Sequence, residues 1–114
     1  ENRLHYSWFK HNIRLFKEDF QLFVTGELND IMIIDGTIDD LKSIYTRFTT
    51  FFNESEIKSL DHLEILMLKK KYKLILAKHK IFDEIIGFAL VYVLEDDHYI
   101  WLDYIAIDSI YQNL

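Results

Sequence analysis

Three long apolar stretches in the last third of the chain constrain the fold more than any other feature of the sequence. They cover residues 73–80, 85–94 and 99–107, and the first two are apolar at both odd and even positions. Such stretches are typical of strands that are covered on both faces. Polar connectors of only a few residues allow hairpins but not the crossovers that parallel strands need. We therefore expect three consecutive antiparallel strands.

One strand and two helices are predicted upstream of these stretches. The segment DIMIIDG is a short buried strand that ends at Gly36, and Thr37 and Asp40 then have the spacing of a capping box. The apolar face of the first helix comprises Leu41, Ile44, Tyr45, Phe48 and Phe52. Asn53 or Ser55 is the expected cap of the second helix, whose apolar side comprises Ile57, Leu60, Leu63, Leu66 and Met67. This order predicts an α+β fold: a mixed, largely antiparallel sheet flanked by helices.

Residues 1–30 are predicted to form an N-terminal extension that is helical, ahead of a unit at residues 31–114. Large apolar residues recur there at helical spacing: Phe9, Ile13, Phe16, Phe20 and Phe23. Ser7 is a possible cap for this helix, and Gly26 a possible end. A strand over residues 20–25 is the alternative interpretation, because apolar residues also alternate there with Gln21. The whole chain of 114 residues suits one ordinary domain.

Charge and composition argue against several kinds of partner. The net charge of −6 disfavours nucleic acid, and we interpret the lysines clustered between positions 69 and 80 as a solvated helix end. No stretch approaches the roughly 20 apolar residues of a membrane helix, so no membrane partner is expected. The chain contains no cysteine, which fits a cytoplasmic, reducing compartment. Its histidines lack metal-ligand spacing, and no metal site is predicted.

The stretch DYIAIDSIYQNL, from Asp103 to Leu114, carries the pattern that points to a function. An apolar strand meets Asp108 and Ser109 there and has the character of a strand-to-helix junction. Such a junction directs free backbone N–H groups and the positive end of a helix dipole outward, which favours an anion such as a pyrophosphate. Close approach of the phosphates would require glycine soon afterwards.

This stretch resembles the central motif of the GNAT acyltransferase superfamily, which uses acetyl-coenzyme A. In that family a strand ending in a pattern such as Leu/Ile-Ala-Val-Asp leads to an aromatic residue and then to Gln/Arg-x-x-Gly-x-Gly/Ala. The matching residues are Ile105, Ala106, Ile107 and Asp108 in the strand, Tyr111 as the aromatic residue, and Gln112, Asn113 and Leu114 in the loop. The order of one strand, two helices and three antiparallel strands also matches the first half of the family fold.

The resemblance implies an acyl-CoA N-acyltransferase-like fold and a direct transfer of an acetyl group to an amine on a small molecule or peptide. The strand's backbone would bind the pantetheine arm as an extra strand would, through Ile105, Ala106 and Ile107. The backbone N–H groups that begin the pyrophosphate cradle would be those of Gln112, Asn113 and Leu114. Both glycines of the family's loop would follow Leu114. We therefore expect the 114 residues to be the N-terminal half of such a domain and to be inactive alone.

Asp103 is the candidate general base that would deprotonate the acceptor's ammonium group. By strict alternation along the strand it shares a face with Trp101 and Ile105. Between apolar neighbours in a cleft, the pKa of its carboxyl group would rise towards a useful value. Opposite a lysine, the carboxylate would instead be structural. The two helices and their connector at residues 51–56 are expected to form part of the acceptor pocket.

Two other classes of protein stay open. The chain has the features of a GNAT-like module that binds or dimerises without catalysis, or of an unrelated α+β interaction domain. Self-association would use the edge of strand 99–107, which we expect to be open from Trp101 onwards and which lacks Lys and Pro. Gly87, inside an apolar strand, predicts a bulge or the close approach of another backbone or a ligand.

Overall fold

The chain forms an α+β fold with one antiparallel sheet, described by a computed structural model for residues 10–25, 30–51, 56–94 and 98–107. The strands are β1 (Lys10–Asn12), β2 (Ile31–Asp35), β3 (Tyr72–His79), β4 (Ile85–Val93) and β5 (Tyr99–Ile107). The helices are α1 (Ile13–Thr25), α2 (Ile38–Phe51) and α3 (Leu60–Leu68). The sheet order is β1-β5-β4-β3-β2, and each neighbouring pair of these strands is antiparallel.

The two faces of the sheet are covered by different helices. On one face, Phe16, Phe20 and Val24 of α1 join a buried cluster that includes Ile75 of β3. The other face packs against α2 and α3 through a second cluster: Leu41, Ile44 and Leu63 with Leu74, Leu76, Phe88 and Leu90. Because neighbouring residues of β3 point to opposite faces, both parities must be apolar. The prediction that this strand is covered on both sides is confirmed.

The three predicted strands of the last third are present, and their antiparallel pairing is confirmed. β3 and β4 begin at Tyr72 and Ile85, and β5 has the predicted bounds of residues 99–107.

Within the part of the chain that the structure describes, none of the helices is long and apolar enough to cross a membrane.

The capping box at the start of α2 is confirmed. The backbone N–H of Thr37 donates to Oδ2 of Asp40 at 2.8 Å, and the N–H of Asp40 donates to Oγ1 of Thr37 at 3.1 Å. In the predicted apolar face of this helix, Leu41 and Ile44 are fully buried. The side chains of Phe48 and Phe52 lie outside the described part of the chain.

The predicted start of the second helix is wrong. α3 is capped by Ser59, whose side-chain oxygen accepts a hydrogen bond of 3.1 Å from the N–H of His62. The helix begins this late because tyrosine hydroxyl groups from α2 and β5 bind the backbone that precedes it. The two expected caps, Asn53 and Ser55, lie outside the described residues. Leu63 supplies the fully buried position of α3.

The N-terminal helix is confirmed over Ile13–Thr25, so the alternative strand at residues 20–25 is wrong. It begins after Asn12, whose side-chain oxygen accepts the N–H groups of Arg14 at 3.0 Å and Leu15 at 3.2 Å. The asparagine therefore caps the helix. The three residues immediately before the helix, Lys10–Asn12, form β1 and pair with β5. Ser7, Phe9 and Gly26 lie outside the described residues.

β1 changes the expectation for the edge of the last strand. It pairs antiparallel with Tyr99–Trp101, with Lys10 opposite Trp101 and His11 opposite Ile100. The expectation of an open edge is therefore wrong at Trp101. The cause is the N-terminal segment, which folds back onto the sheet and supplies its outermost strand.

Candidate functional site

A β-bulge in β5 determines where Asp103 points. In the pairing with β4, Leu102 lies opposite Val91 and Tyr104 lies opposite Leu90, which leaves Asp103 as the additional residue. Such an insertion interrupts the alternation of side chains along a strand. Leu102 and Ile105 consequently pack on the α1 face of the sheet, and Tyr104 packs on the α2–α3 face.

The face assigned to Asp103 by strict alternation is therefore wrong in part. Its carboxylate contacts Tyr72, which belongs to the α2–α3 face, whereas Ile105 packs on the α1 face. The bulge separates Asp103 from Ile105, because one extra residue moves every later side chain to the opposite face.

Asp103 accepts two short hydrogen bonds at one oxygen atom. Nζ of Lys58 and the hydroxyl of Tyr72 each donate to Oδ2 at 2.7 Å. The Lys58 and Asp103 side chains are 21% and 20% exposed, so the ion pair is largely shielded but still reaches solvent. Of the two environments considered for Asp103 from the sequence, the structure has the one with a lysine partner.

Two tyrosine rings lie next to the ammonium group of Lys58, and a third tyrosine contacts one of these rings. Nζ lies 5.2 Å from the ring centroid of Tyr104 and 5.4 Å from that of Tyr92, both within the range of a cation–π interaction. The Tyr72 ring contacts the Tyr92 ring edge-on, with 5.0 Å between centroids. We call Asp103, Tyr72, Tyr92 and Tyr104 the tyrosine cage.

Electrostatics favour a charged Lys58 and protonated Tyr72 and Tyr104. Burial works to lower the pKa of Lys58, but hydrogen bonds to Asp103 and Tyr92 and the charge of Asp103 outweigh it, so the pKa is raised. Burial, together with the charge of Asp103, raises the pKa of Tyr72 far above its ordinary value. For the same two reasons the pKa of Tyr104 is raised. At neutral pH, Lys58 and Tyr72 are therefore both donors to the carboxylate.

The connector between α2 and α3 is fixed over β5 by two tyrosine hydroxyl groups. The hydroxyl of Tyr104 donates to the backbone oxygen of Glu56, and that of Tyr45 donates to the backbone oxygen of Lys58 at 2.9 Å. Both bonds hold the backbone and leave the Lys58 side chain to be positioned by the cage.

A cleft of about 320 Å³ adjoins the cage at Tyr72. Its lining comprises Asp35, Gly36, Met67, Lys70, Tyr72, Lys73, Leu74 and Val93. Asp35 is paired with Lys17 at 3.0 Å and Lys73 at 3.5 Å. Burial works to raise the pKa of Asp35, but the two lysines outweigh it and lower the pKa. Tyr72 is the side chain that this cleft shares with the cage.

The other predicted site residues are distributed between β5 and the undescribed end of the chain. Ala106 and Ile107 are buried in β5, and Ile105 is half-buried. Gln112, Asn113 and Leu114 lie outside the described residues. In the parts of the chain that are described, no group of three or more His, Cys, Asp or Glu side chains could hold a metal ion.

Gly87 lies opposite Ile107 at the end of β5. A Cβ atom built on this glycine would lie 3.0 Å from the backbone oxygen of Ala106 and 3.3 Å from Cγ1 of Ile107. The register of β3 against β4 also shifts at this point, after Ala77. The predicted close backbone approach and the predicted irregularity are both confirmed.

Sequence reasoning identified Asp103 but missed Lys58 and the three tyrosines of the cage. Tyr72, Tyr92 and Tyr104 occur in successive strands, which is a signal that the printed sequence does carry. The link to Lys58 has no such signal, because this residue lies 45 positions from Asp103, in the connector between α2 and α3.

Comparison with known proteins identified no relative of this chain. No protein-family model matches the sequence, and no curated protein or solved structure matches it either.

Proposed function

We propose that the protein is an acyltransferase of the GNAT type, which moves an acetyl group from acetyl-coenzyme A to an amine acceptor. The observation that carries the proposal is the arrangement around β5. The sheet contains β2, β3, β4 and β5 side by side, and α2 and α3 connect β2 to β3. The strand residues of the motif, Ile105, Ala106 and Ile107, form the end of β5. This arrangement supports an acyl-CoA N-acyltransferase-like fold as the finer description of the α+β architecture.

The coenzyme would bind beside the end of β5. There the proposal assigns backbone hydrogen bonds with the pantetheine arm to Ile105, Ala106 and Ile107, in the manner of strand addition. β1 pairs with the opposite end of β5, at Tyr99–Trp101. The close packing of Gly87 against Ala106 and Ile107 supports a defined backbone at this point.

The acceptor would bind on the α2–α3 face, near the bulge. Bulges are frequent next to active sites, where they re-aim a side chain, and this one directs Asp103 into the tyrosine cage. In the transfer, the acceptor's ammonium group loses one proton to a base, and the neutral amine nitrogen then bonds to the acetyl carbon. The carbon–sulfur bond breaks, the nitrogen gives up a second proton, and the departing thiolate takes up a proton to give coenzyme A. For Asp103 to be the base, Lys58 must first leave its carboxylate.

Two measurements on the protein test the proposal. Because the 114 residues alone are expected to be inactive, both measurements use a chain that continues through the expected glycine loop. In that chain, isothermal titration calorimetry with acetyl-coenzyme A should show binding, and a thiol-release assay with a panel of primary amines should show turnover. The Asp103→Asn variant serves as the matched control, since it should keep coenzyme binding and lose turnover. Absence of coenzyme binding by the parent protein would refute the proposal.

A non-catalytic module is the second candidate, and one observation favours it. The proposed base is held by Lys58 at 2.7 Å, which is the structural environment considered for Asp103 from the sequence. Coenzyme binding without turnover of any amine would support a GNAT-like binding module. Absence of both activities would favour an unrelated α+β interaction or dimerisation domain.

A further inference from the structure

We infer that the tyrosine cage is a binding site for a primary ammonium group, and that Lys58 occupies it as a built-in competitor. The use of this site in acyl transfer rests on the proposed function, but binding of an ammonium group to the cage does not. The inference specifies which side chains receive the acceptor and why the resting protein holds that site closed.

The cage supplies the two interactions that an ammonium group needs. One is a charged acceptor, since Oδ2 of Asp103 takes a hydrogen bond from Nζ at 2.7 Å. The other is aromatic surface, since the Tyr104 and Tyr92 rings lie 5.2 and 5.4 Å from the same nitrogen. A ring face attracts any cation, whereas the short hydrogen bond requires an N–H donor. The combination favours a primary ammonium over a quaternary one.

The hydroxyl of Tyr72 fixes the acceptor end of the cage. It donates to the same Oδ2 atom at 2.7 Å, and its ring packs edge-on against Tyr92. The carboxylate therefore keeps one hydrogen bond and its orientation when the ammonium group leaves. Because Tyr72 orients the carboxylate, the cage is preorganised for another cation in place of Lys58, and the entropy cost of binding that cation is reduced.

Lys58 can leave the cage without any change in the fold. Its backbone oxygen is fixed by Tyr45 at 2.9 Å, and the neighbouring Glu56 oxygen is bound by Tyr104. Rotation about the side-chain bonds of Lys58 is therefore sufficient to empty the cage. Because Lys58 is tethered, its effective concentration is high, and a free amine must compete against it.

Chemical rescue tests this inference with n-butylammonium, which reproduces the end of a lysine side chain. In the Lys58→Ala variant the cage is empty, and we expect n-butylammonium to bind with a dissociation constant at least about tenfold lower than in the parent protein. The measurement is a calorimetric titration without acetyl-coenzyme A, accompanied by the shift in melting temperature. Tetramethylammonium should bind more weakly, and n-butanol, which has no charge, should produce no shift.

Two control variants separate the cage from a general effect of removing a lysine. Lys58→Met removes the charge but keeps a side chain of similar length, so it should not bind n-butylammonium. Lys58→Ala combined with Asp103→Asn should also fail to bind. If Lys58→Ala does not fold alone, refolding in n-butylammonium but not in n-butanol gives the same answer.

The results distinguish this inference from the proposed acyltransferase activity. The ammonium site would be overturned if Lys58→Ala and Lys58→Met responded equally to n-butylammonium. It would also be overturned if Lys58→Ala responded to n-butanol as strongly as to n-butylammonium. Neither result would bear on coenzyme binding. Amine binding in Lys58→Ala together with no affinity for coenzyme A would support the site and refute the acyltransferase proposal.

Discussion

The hydroxyl of Tyr72 donates a hydrogen bond of 2.7 Å to Asp103, although β4 lies between the strands that carry these two residues. The tyrosine side chain passes over its neighbour Tyr92, which it contacts edge-on. This bond joins the start of β3 to the bulge in β5. A buried phenol donor and a charged acceptor form one of the stronger kinds of hydrogen bond in proteins.

We expect Tyr72→Phe to lower the free energy of unfolding by about 1–2 kcal/mol, because Asp103 loses one of its two donors. Urea unfolding measures the change. A double-mutant cycle with Asp103→Asn isolates the bond, and the two substitutions together should cost less than the sum of each alone. Strict additivity would contradict a direct interaction between the two side chains.

Alkaline pH should destabilise the protein through deprotonation of Lys58 and Tyr72, the two donors to Asp103. The pKa of Lys58 and the pKa of Tyr72 are both raised in the folded state, so above about pH 10 the folded chain binds more protons than the unfolded one. Their stabilisation is complete below the unfolded pKa values and is lost as the pH rises towards the folded values. Urea unfolding between pH 8 and about pH 11.5 should show this loss.

The matched comparison for alkaline unfolding is between the parent protein and the double variant that carries both Lys58→Met and Tyr72→Phe. Without these two titrating groups, the free energy of unfolding should fall less steeply above about pH 10 than in the parent protein. Identical slopes in the two proteins would mean that other groups control the alkaline transition.

Much of the fold could be predicted from the sequence because its signals are local. The apolar parity of β3 and β4 and the capping box of Thr37 and Asp40 are set by neighbours in the chain. The start of α3 differs from the predicted one because hydrogen bonds from Tyr45 and Tyr104 hold the connector in another conformation. No local pattern contains that information.

The candidate site was less predictable for a similar reason. The motif resemblance points to Asp103, but the face on which this side chain lies depends on a bulge in the pairing with β4. The hydrophobic pattern around it, with Leu102 and Tyr104 both buried, fits a regular strand equally well. The partner Lys58 comes from a connector far away in the sequence. Register and long-range pairing decide both features.

The capping box should be measurable as a local contribution to stability. Asp40→Ala removes the carboxylate that accepts the Thr37 N–H, and we expect a loss of about 1 kcal/mol in the free energy of unfolding. Asp39→Ala is the matched control, because Asp39 also lies in the first turn of α2 and is exposed there. It should lose only about 0.3–0.5 kcal/mol through the helix dipole. Equal losses in the two variants would show that charge, not capping, is the cause.

Gly87→Val should harm both stability and coenzyme binding, because its side chain would press on the strand that carries the motif. The Cβ atom of the valine would lie 3.0 Å from the backbone oxygen of Ala106, which cannot rotate away. We expect a loss of about 1–3 kcal/mol in the free energy of unfolding, as for overpacked cores. Gly87→Ala should lose less. Calorimetry with coenzyme A and urea unfolding measure the two effects.

Val91→Leu is the matched control for the glycine, since it adds volume to the same buried strand opposite Leu102, away from the end of the motif. We expect it to lower the free energy of unfolding without weakening the affinity for coenzyme A. Gly87→Val should instead weaken that affinity even at temperatures where the variant is fully folded, because β5 is displaced at Ala106 and Ile107. Unchanged stability and unchanged binding in Gly87→Val would show that this glycine has no role in either.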